Sequence, residues 1–395
     1  MSITSTPEPS PIAPAVEVPR VPSTAGARLV SLDVFRGITI AGMLLVNNPG
    51  SWARIYSTLR HAEWNGWTPT DLIFPFFLFI VGVAMTFSFG KMRERGAARG
   101  ELLAKSAKRA LILFVLGLIL HSFPWWGVDL GTLRIPGVLQ RIALAYLLAS
   151  VIILWTDARG QATAAAAIVL GYWAVMAWVP VPGIGAGVWE PGQDIGAYID
   201  RLVFGTEHLW SQSRTWDPEG LLSTIPAVAS VLLGALTGHW LRSDRTATLK
   251  TAGLLAAGVA ALILGLAWGA VFPINKSLWT SSYVVFTGGM ALLFLAGCYW
   301  LVDVKGYRRW SQPFVIFGMN AIAAFFLSGI FARVLGMIQV PAPEGTVSLK
   351  ARIYAGLLGT GLPPIDASLA FAVLFVLFWL AVMAIFYRKG IFIKV

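Results

Sequence analysis

The sequence predicts an all-α polytopic membrane protein, a bundle of about ten transmembrane helices, on three observations. Apolar residues make up 57% of the 395 residues and charged residues only 12%, about half the roughly 25% typical of soluble domains. Mean hydropathy is +0.72. Apolar runs of near-membrane length recur from one end of the chain to the other, and a hydrocarbon core of about 30 Å is crossed by about 20 apolar residues in a helix.

Residues 1–27 are rich in Pro, Ser, Thr and Ala and lack an apolar core. They read as a disordered cytoplasmic tail rather than a cleavable signal peptide. Residues 28–395 then form one transmembrane unit. Its ten expected spans run over 30–48, 71–90, 106–123, 135–155 and 164–179, then 221–241, 251–272, 281–302, 314–338 and 367–387. Two outer connections, 180–220 and 339–366, are long and rich in Gly and Pro. Connections of that length are more often functional than accidental.

Lys and Arg set orientation. With the N-terminus inside, 19 fall in cytoplasmic segments and 8 in outer ones, so both termini are expected in the cytoplasm, in keeping with the positive-inside bias. The net charge of +11 therefore reports topology and gives no reason to expect a nucleic-acid partner. One cysteine, Cys298, excludes an internal disulfide framework. Four widely spaced histidines, His61, His121, His208 and His239, give no metal-ligand spacing, so no metal is expected.

The chemistry concentrates in residues 60–79, RHAEWNGWTPTDLIFPFFLF, where polar groups abut a strongly apolar run on the outer side. His61 is suited to proton transfer near neutral pH or to accepting an acyl group; the plainer reading is a loop histidine at the headgroup boundary. Asn47, at the end of the first span, can orient His61 or donate to an oxyanion, or can simply cap its helix. In TPTD, Thr68, Pro69 and Asp71 form a capping-box-like start for the second span, and Asp71 can equally hold the imidazole. The two roles are compatible.

Further polar groups lie within or beside spans. Asp33 and Arg36 share a helix face. Gln140 and Arg141 lie inside the fourth span and Arg333 inside the ninth, where an arginine normally faces a cavity or partner. Asn320, in FGMNAI, is a further polar residue within the ninth span, with an interhelical hydrogen bond as its plainer role. Asp217 and Glu219 open the sixth span as caps or as an acidic patch for a hydroxyl-rich or cationic substrate. Lys276 and Trp279 precede the eighth span on the outer side. Most of the 17 tryptophans suit an aromatic belt, while a few, Trp64 among them, can stack on a sugar ring. The 91–109 connection carries seven positive charges, which topology explains and which also suit a phosphorylated cosubstrate.

These residues fall in long, ordered motifs: SLDVFRG, LLVNN, HAEWNGWTPTDLIFPFFLFIVG, RIPGVLQRIA, WDPEGLLSTIPA, INKSLWTSSYVVFTGG and FGMNAI. Together they resemble the heparan-α-glucosaminide N-acetyltransferase family, part of a broader group of transmembrane acyltransferases, over residues 28–387. The resemblance implies transfer of an acetyl group from cytosolic acetyl-CoA to an amino sugar or other glycan across the membrane. It places the catalytic histidine on His61, the essential asparagine on Asn47 and the motif aspartate on Asp71. The animal enzyme's extra N-terminal luminal region has no counterpart in the short tail, so its lysosomal acceptor is not carried over.

The candidate site is then His61, Asn47 and Asp71 for catalysis. Arg36, Arg141, Gln140, Asn320, Lys276 and Trp279 are the candidates for holding CoA, and Trp64, Asn65, Asp217 and Glu219 for the acceptor. The expected partners are acetyl-CoA, a glycan or amino-sugar acceptor, the bilayer of a bacterial inner membrane and, as an option, a second copy of the chain. A transporter or channel for a small polar solute is the rival reading of the same intramembrane polar groups, although no internal repeat is visible.

Overall fold

A computed structural model of the chain describes residues 29–343 and 345–393; the expected tail, 1–27, lies outside the described residues. Thirteen α-helices follow in order: α1 Val30–Asn47, α2 Ile73–Glu94, α3 Arg99–His121, α4 Val138–Trp155, α5 Ala158–Trp178, α6 Ile195–Phe204, α7 Leu221–Arg242, α8 Ala247–Gly269, α9 Ser281–Cys298, α10 Gln312–Met319, α11 Ala321–Met337, α12 Leu349–Leu358 and α13 Pro364–Arg388. A short antiparallel hairpin, β1 Gln339–Ala342 with β2 Gly345–Ser348, pairs Gln339 with Ser348.

Each of the ten expected segments is helical. Among the described residues, eight helices are long and apolar enough to cross a membrane, nine if the bent pair α10–α11 is one span. The tenth, α3, carries Lys105, Lys108 and Arg109 in its first half, more charge than a hydrocarbon segment tolerates. The long connections are not structureless: α6 lies within 180–220, and the hairpin and α12 within 339–366.

Helix starts rely on donated caps, because the first N–H groups of a helix lack partners within it. Thr68 N donates to Asp71 Oδ2 at 3.0 Å in a capping box, with Pro69 next, as TPTD suggested. Asp303 Oδ2 accepts from Ser31 N at 3.1 Å and caps α1 from far along the chain. For α7 the expectation is corrected: its N-cap is Gly220, and Asp200 of α6 accepts from Leu221 N at 2.8 Å. Asp217 caps the turn just before α7 instead, accepting from Glu219 N at 2.9 Å.

With no hydrophobic drive between helices in lipid, close approach of small residues holds bundles together. A Cβ on Gly82 of α2 would lie 1.9 Å from the Val231 carbonyl oxygen, and one on Gly234 of α7 2.0 Å from that of Phe79. The α2–α7 pair is backbone against backbone.

Packing resolves into two main apolar clusters with α1 at their seam. Phe35 belongs to the larger, with α2, α4, α7 and α9; Ile40 and Leu44 belong to the second, with α11 and α13. The expected ninth span breaks at Asn320, where α10 and α11 meet at 82°. The Asn320 side chain there donates to the Ile391 carbonyl oxygen at 3.0 Å and accepts from Ile393 N at 2.9 Å. The break swings α11 against α1 and sets the wall of the site.

Candidate active site

A cavity of about 540 Å³ lies at the seam, walled by α1, α2, α4 and α11 and by the loops at one end of the bundle. On α1 its lining runs from Asn47 down to Thr39, a drop of about 12 Å at 1.5 Å per residue. One to two turns farther along the same helices, Phe35, Ile80, Val83, Ala145 and Tyr146 are buried in the larger cluster.

His61 and Asp71 stand at the loop end of this cavity. The imidazole Nδ1 lies 2.6 Å from Asp71 Oδ1; donation of Nδ1–H to the carboxylate leaves Nε2 as the basic nitrogen. Asp71 is 1% exposed, and its other oxygen accepts from Ala62 N and Thr68 N, each at 3.0 Å, and from Thr68 Oγ1 at 3.2 Å. Tyr283 Oη donates to the Asp71 carbonyl oxygen at 2.5 Å. The aspartate is thus both a helix cap and the partner of the imidazole, and four donors fix its two oxygens. Such a carboxylate cannot rotate away from His61 without leaving buried donors unpaired, at about 1–3 kcal/mol each.

Lys276 comes from a loop far along the chain. Its Nζ lies 3.2 Å from His61 Nδ1, 3.3 Å from Nε2 and 3.9 Å from Asp71 Oδ1. Burial pushes its ammonium below the usual lysine value, against the raising effect of Asp71 and Glu219. A lysine in this setting exchanges a proton more readily than one in water. Asn47 lines the cavity from the end of α1, and its amide makes no hydrogen bond to another described residue.

The acidic wall is held by a residue that sequence reasoning passed over. Arg134 donates to Asp217 in a two-pronged pair, Nε to Oδ2 at 2.8 Å and Nη2 to Oδ1 at 2.6 Å, and to Glu219 Oε2 at 2.6 Å. Burial pushes the Glu219 carboxyl up, but Arg134, then Arg141 and Lys276, outweigh it and hold it below the usual glutamate value. Glu219 lines the cavity and Asp217 stands behind it. Trp64 also lines it, fixed by donation from Nε1 to the Trp189 carbonyl oxygen at 2.7 Å and by edge-on packing against Trp216 at 5.0 Å. Glu63, Trp210 and Trp216 are further lining residues that the sequence did not single out. Nothing local marks Arg134, whose partners are 83 and 85 positions away.

Several candidates stand elsewhere. Arg141 is 1% exposed and donates to Ser223 Oγ while stacking over Trp279 at 4.9 Å. Trp279 is fully buried, donates to Ser230 Oγ at 3.2 Å and takes φ 52°, a left-handed conformation uncommon for a bulky residue. The two form one stack beneath the wall rather than part of its surface. Arg36 lies at the far end of α1 and donates to Asp33 Oδ1 at 3.2 Å and the Gly318 carbonyl oxygen at 3.1 Å. Asn320 serves the helix break, and Asn65 accepts from Asn275 Nδ2 at 3.2 Å. Gln140 lines a neighbouring cavity rather than this one.

Fold and site together define a multi-pass helical membrane protein with a carboxylate-held imidazole facing an internal cavity. The sequence model of the family described as "Heparan-alpha-glucosaminide N-acetyltransferase, catalytic" matches residues 28–267, and the chain belongs to that family. It is similar to the "Heparan-alpha-glucosaminide N-acetyltransferase" of Homo sapiens, 30% identical over 93% of this chain and 60% of the human protein. To that of Mus musculus it is 30% identical over 78% of this chain and 54% of the mouse protein. The chain thus spans under two thirds of the length of these relatives.

Proposed function

We propose that this protein transfers an acetyl group from acetyl-CoA to the amine of an amino sugar, or to a related glycan acceptor, at His61. The observation that carries the reading is the His61–Asp71 pair, 2.6 Å apart, at a cavity whose other polar lining suits an amino sugar. Its volume, about 540 Å³, falls within the roughly 300–1,000 Å³ usual for small-molecule sites.

Asp71 holds Nδ1–H, so that Nε2 takes the proton of the attacking amine as its nitrogen bonds to the thioester carbon. The Asn47 amide donates to the oxyanion that forms, a contribution typically worth about 3 kcal/mol. As the carbon–sulfur bond breaks, the imidazolium returns its proton to the departing thiolate. A covalent acetyl-histidine is the alternative route, with Nε2 bonding to the acetyl carbon first. Lys276, beside the ring, passes on the surplus proton of an acceptor that arrives as an ammonium. Glu219 and Glu63 receive the acceptor's ammonium or hydroxyls, and Trp64 and Trp216 offer it aromatic faces.

In this reading the protein lies in a bacterial inner membrane with both termini cytoplasmic and His61 at the outer face. Arg36 and the basic 91–109 connection offer charge to the CoA phosphates from inside.

The test uses purified protein in nanodiscs, given acetyl-CoA and a panel of amino sugars. Mass spectrometry should find an N-acetylated product that His61→Ala does not make. Acetyl trapped on the wild-type protein without acceptor assigns the covalent route. If no panel member is acetylated and neither CoA nor acetyl-CoA raises the melting temperature, the reading is wrong.

A further inference from the structure

A second cavity, about 390 Å³, shares a wall with the first: Met43, Asn47, Arg134, Val138, Leu139 and Phe325 line both. Beyond that wall its lining includes His121, Gln140, Arg333 and Lys350, with Trp52, 63% exposed, among the residues that bring it to the surface. Among the described residues no acidic side chain lines it.

Apart from Arg134, which is tied to Asp217 and Glu219, its cations are not answered by carboxylates among the described residues. Arg333 donates to the Gly329 carbonyl oxygen at 3.1 Å, and Lys350 sits over the rings of Phe371 at 5.8 Å and Trp52 at 6.0 Å. Gln140 supplies an independent sign. It is 2% exposed, and neither its amide nitrogen nor its amide oxygen has a hydrogen-bond partner among the described residues. It is also tightly held: a Cβ at Gly117 would lie 2.2 Å from its Oε1, and one at Gly137 2.7 Å. A buried amide left unpaired costs about 1–3 kcal/mol, and native structures rarely keep one without a reason.

We propose that this second cavity is an oxyanion subsite, in which Gln140, Arg333 and Lys350 hold a carboxylate, phosphate or sulfate carried by one of the two substrates. The cations supply the charge, and the Gln140 amide, enclosed against Gly117 and Gly137, turns toward the cavity to donate its nitrogen to the oxyanion. Because the wall is shared at Asn47, a ligand anchored here reaches the reaction cavity with its other end. The inference rests on the transferase reading only for the identity of the substrates; the anion chemistry is that of the cavity itself.

The experiment measures affinity by thermal shift in four arms, using glucosamine 6-phosphate against glucosamine and CoA against pantetheine. Wild type is compared with Gln140→Leu, Arg333→Gln, Lys350→Gln and the charge-keeping Arg333→Lys. The subsite predicts a loss of at least about ten-fold for a charged ligand and under about three-fold for its uncharged counterpart, with Arg333→Lys recovering most of it. A loss confined to glucosamine 6-phosphate assigns the anion to the acceptor, and one confined to CoA assigns it to the donor. Equal losses on charged and uncharged partners, or no loss on either charged ligand, overturn the proposal. Charge-dependent binding of glucosamine 6-phosphate, with no binding of CoA or acetyl-CoA and no acetyl transfer, leaves the subsite standing and removes the transferase reading instead.

Discussion

The two cavities share six lining residues yet are opposite in electrostatic design. In the larger, charges are tied to one another: Asp71 to His61, and Glu219 to Arg134. In the smaller, among the described residues, Arg333 and Lys350 meet no carboxylate and the Gln140 amide has no hydrogen-bond partner. A group meant to take part in a reaction has to be held in one protonation state and one orientation before the substrate arrives. A group meant to bind is completed by its ligand. The contrast fits the proposed division between a place where bonds change and a place where a substrate is anchored, with Asn47 and Arg134 lining both.

The hardest blow to that distinction is at His61. His61→Ala should lower acetyl transfer by about 10²–10⁴-fold, the usual worth of a positioned acid–base group. It should leave the charged-ligand affinity of the second cavity within a few-fold, as read by initial rates and thermal shift on one preparation. Equal damage to both would merge the two cavities into one site. Next comes Arg134→Met, which leaves Asp217, 4% exposed, and Glu219 buried without their cation. Orphaning a buried pair costs about 3–5 kcal/mol, and a chemical-denaturation midpoint should show it. Asn47→Ala follows, with an expected fall on the order of 10²-fold in kcat as an oxyanion donor is lost and little change in melting temperature. An unchanged kcat would assign Asn47 to the second cavity alone.

The smallest effect is one of pH, and it belongs to the acidic side only. Burial, reinforced by Asp217, pushes the Asp200 carboxyl from 3.8 up to about 7. A folded-state value raised above the unfolded one means that its stabilising contribution is complete below about pH 4. That contribution is lost as pH rises through about 7. Melting temperature should therefore decline between about pH 4 and pH 8, and Asp200→Asn should flatten the decline. A wild-type profile already flat across that window would show that Asp200 is not held protonated.

How far the sequence reached depends on the distance between partners. His61 and Asp71 are ten positions apart on a loop and the helix start it leads into, so their meeting was readable from RHAEWNGWTPTD, as was the coexistence of cap and imidazole partner. Apolar runs made all ten helical segments legible, since span length is a local property. Lys276 meets His61 across 215 positions, and Arg134 finds its acids across more than 80. No periodicity encodes such pairings. The 82° break at Asn320 was hidden for a related reason: hydropathy is continuous through FGMNAI, and the bend is held by backbone of the C-terminal segment. Arg141 was a candidate because an arginine inside a span normally faces a cavity or a partner; the partners it meets, Trp279 and Ser223, are again far along the chain.

The floor of the larger cavity has a consequence for the membrane itself. A cleft open at both ends would let water, protons and ions run down the electrical gradient, each elementary charge dissipating about 2.3 kcal/mol per 100 mV. Phe35, Ile80, Val83, Ala145 and Tyr146, buried in one apolar cluster, close the bundle between the larger cavity and the opposite face. With these side chains packed the bilayer stays electrically insulated, so in the proposed reaction a thioester arriving from the cytoplasmic side reaches His61 only when they part, and the leak is limited to that moment.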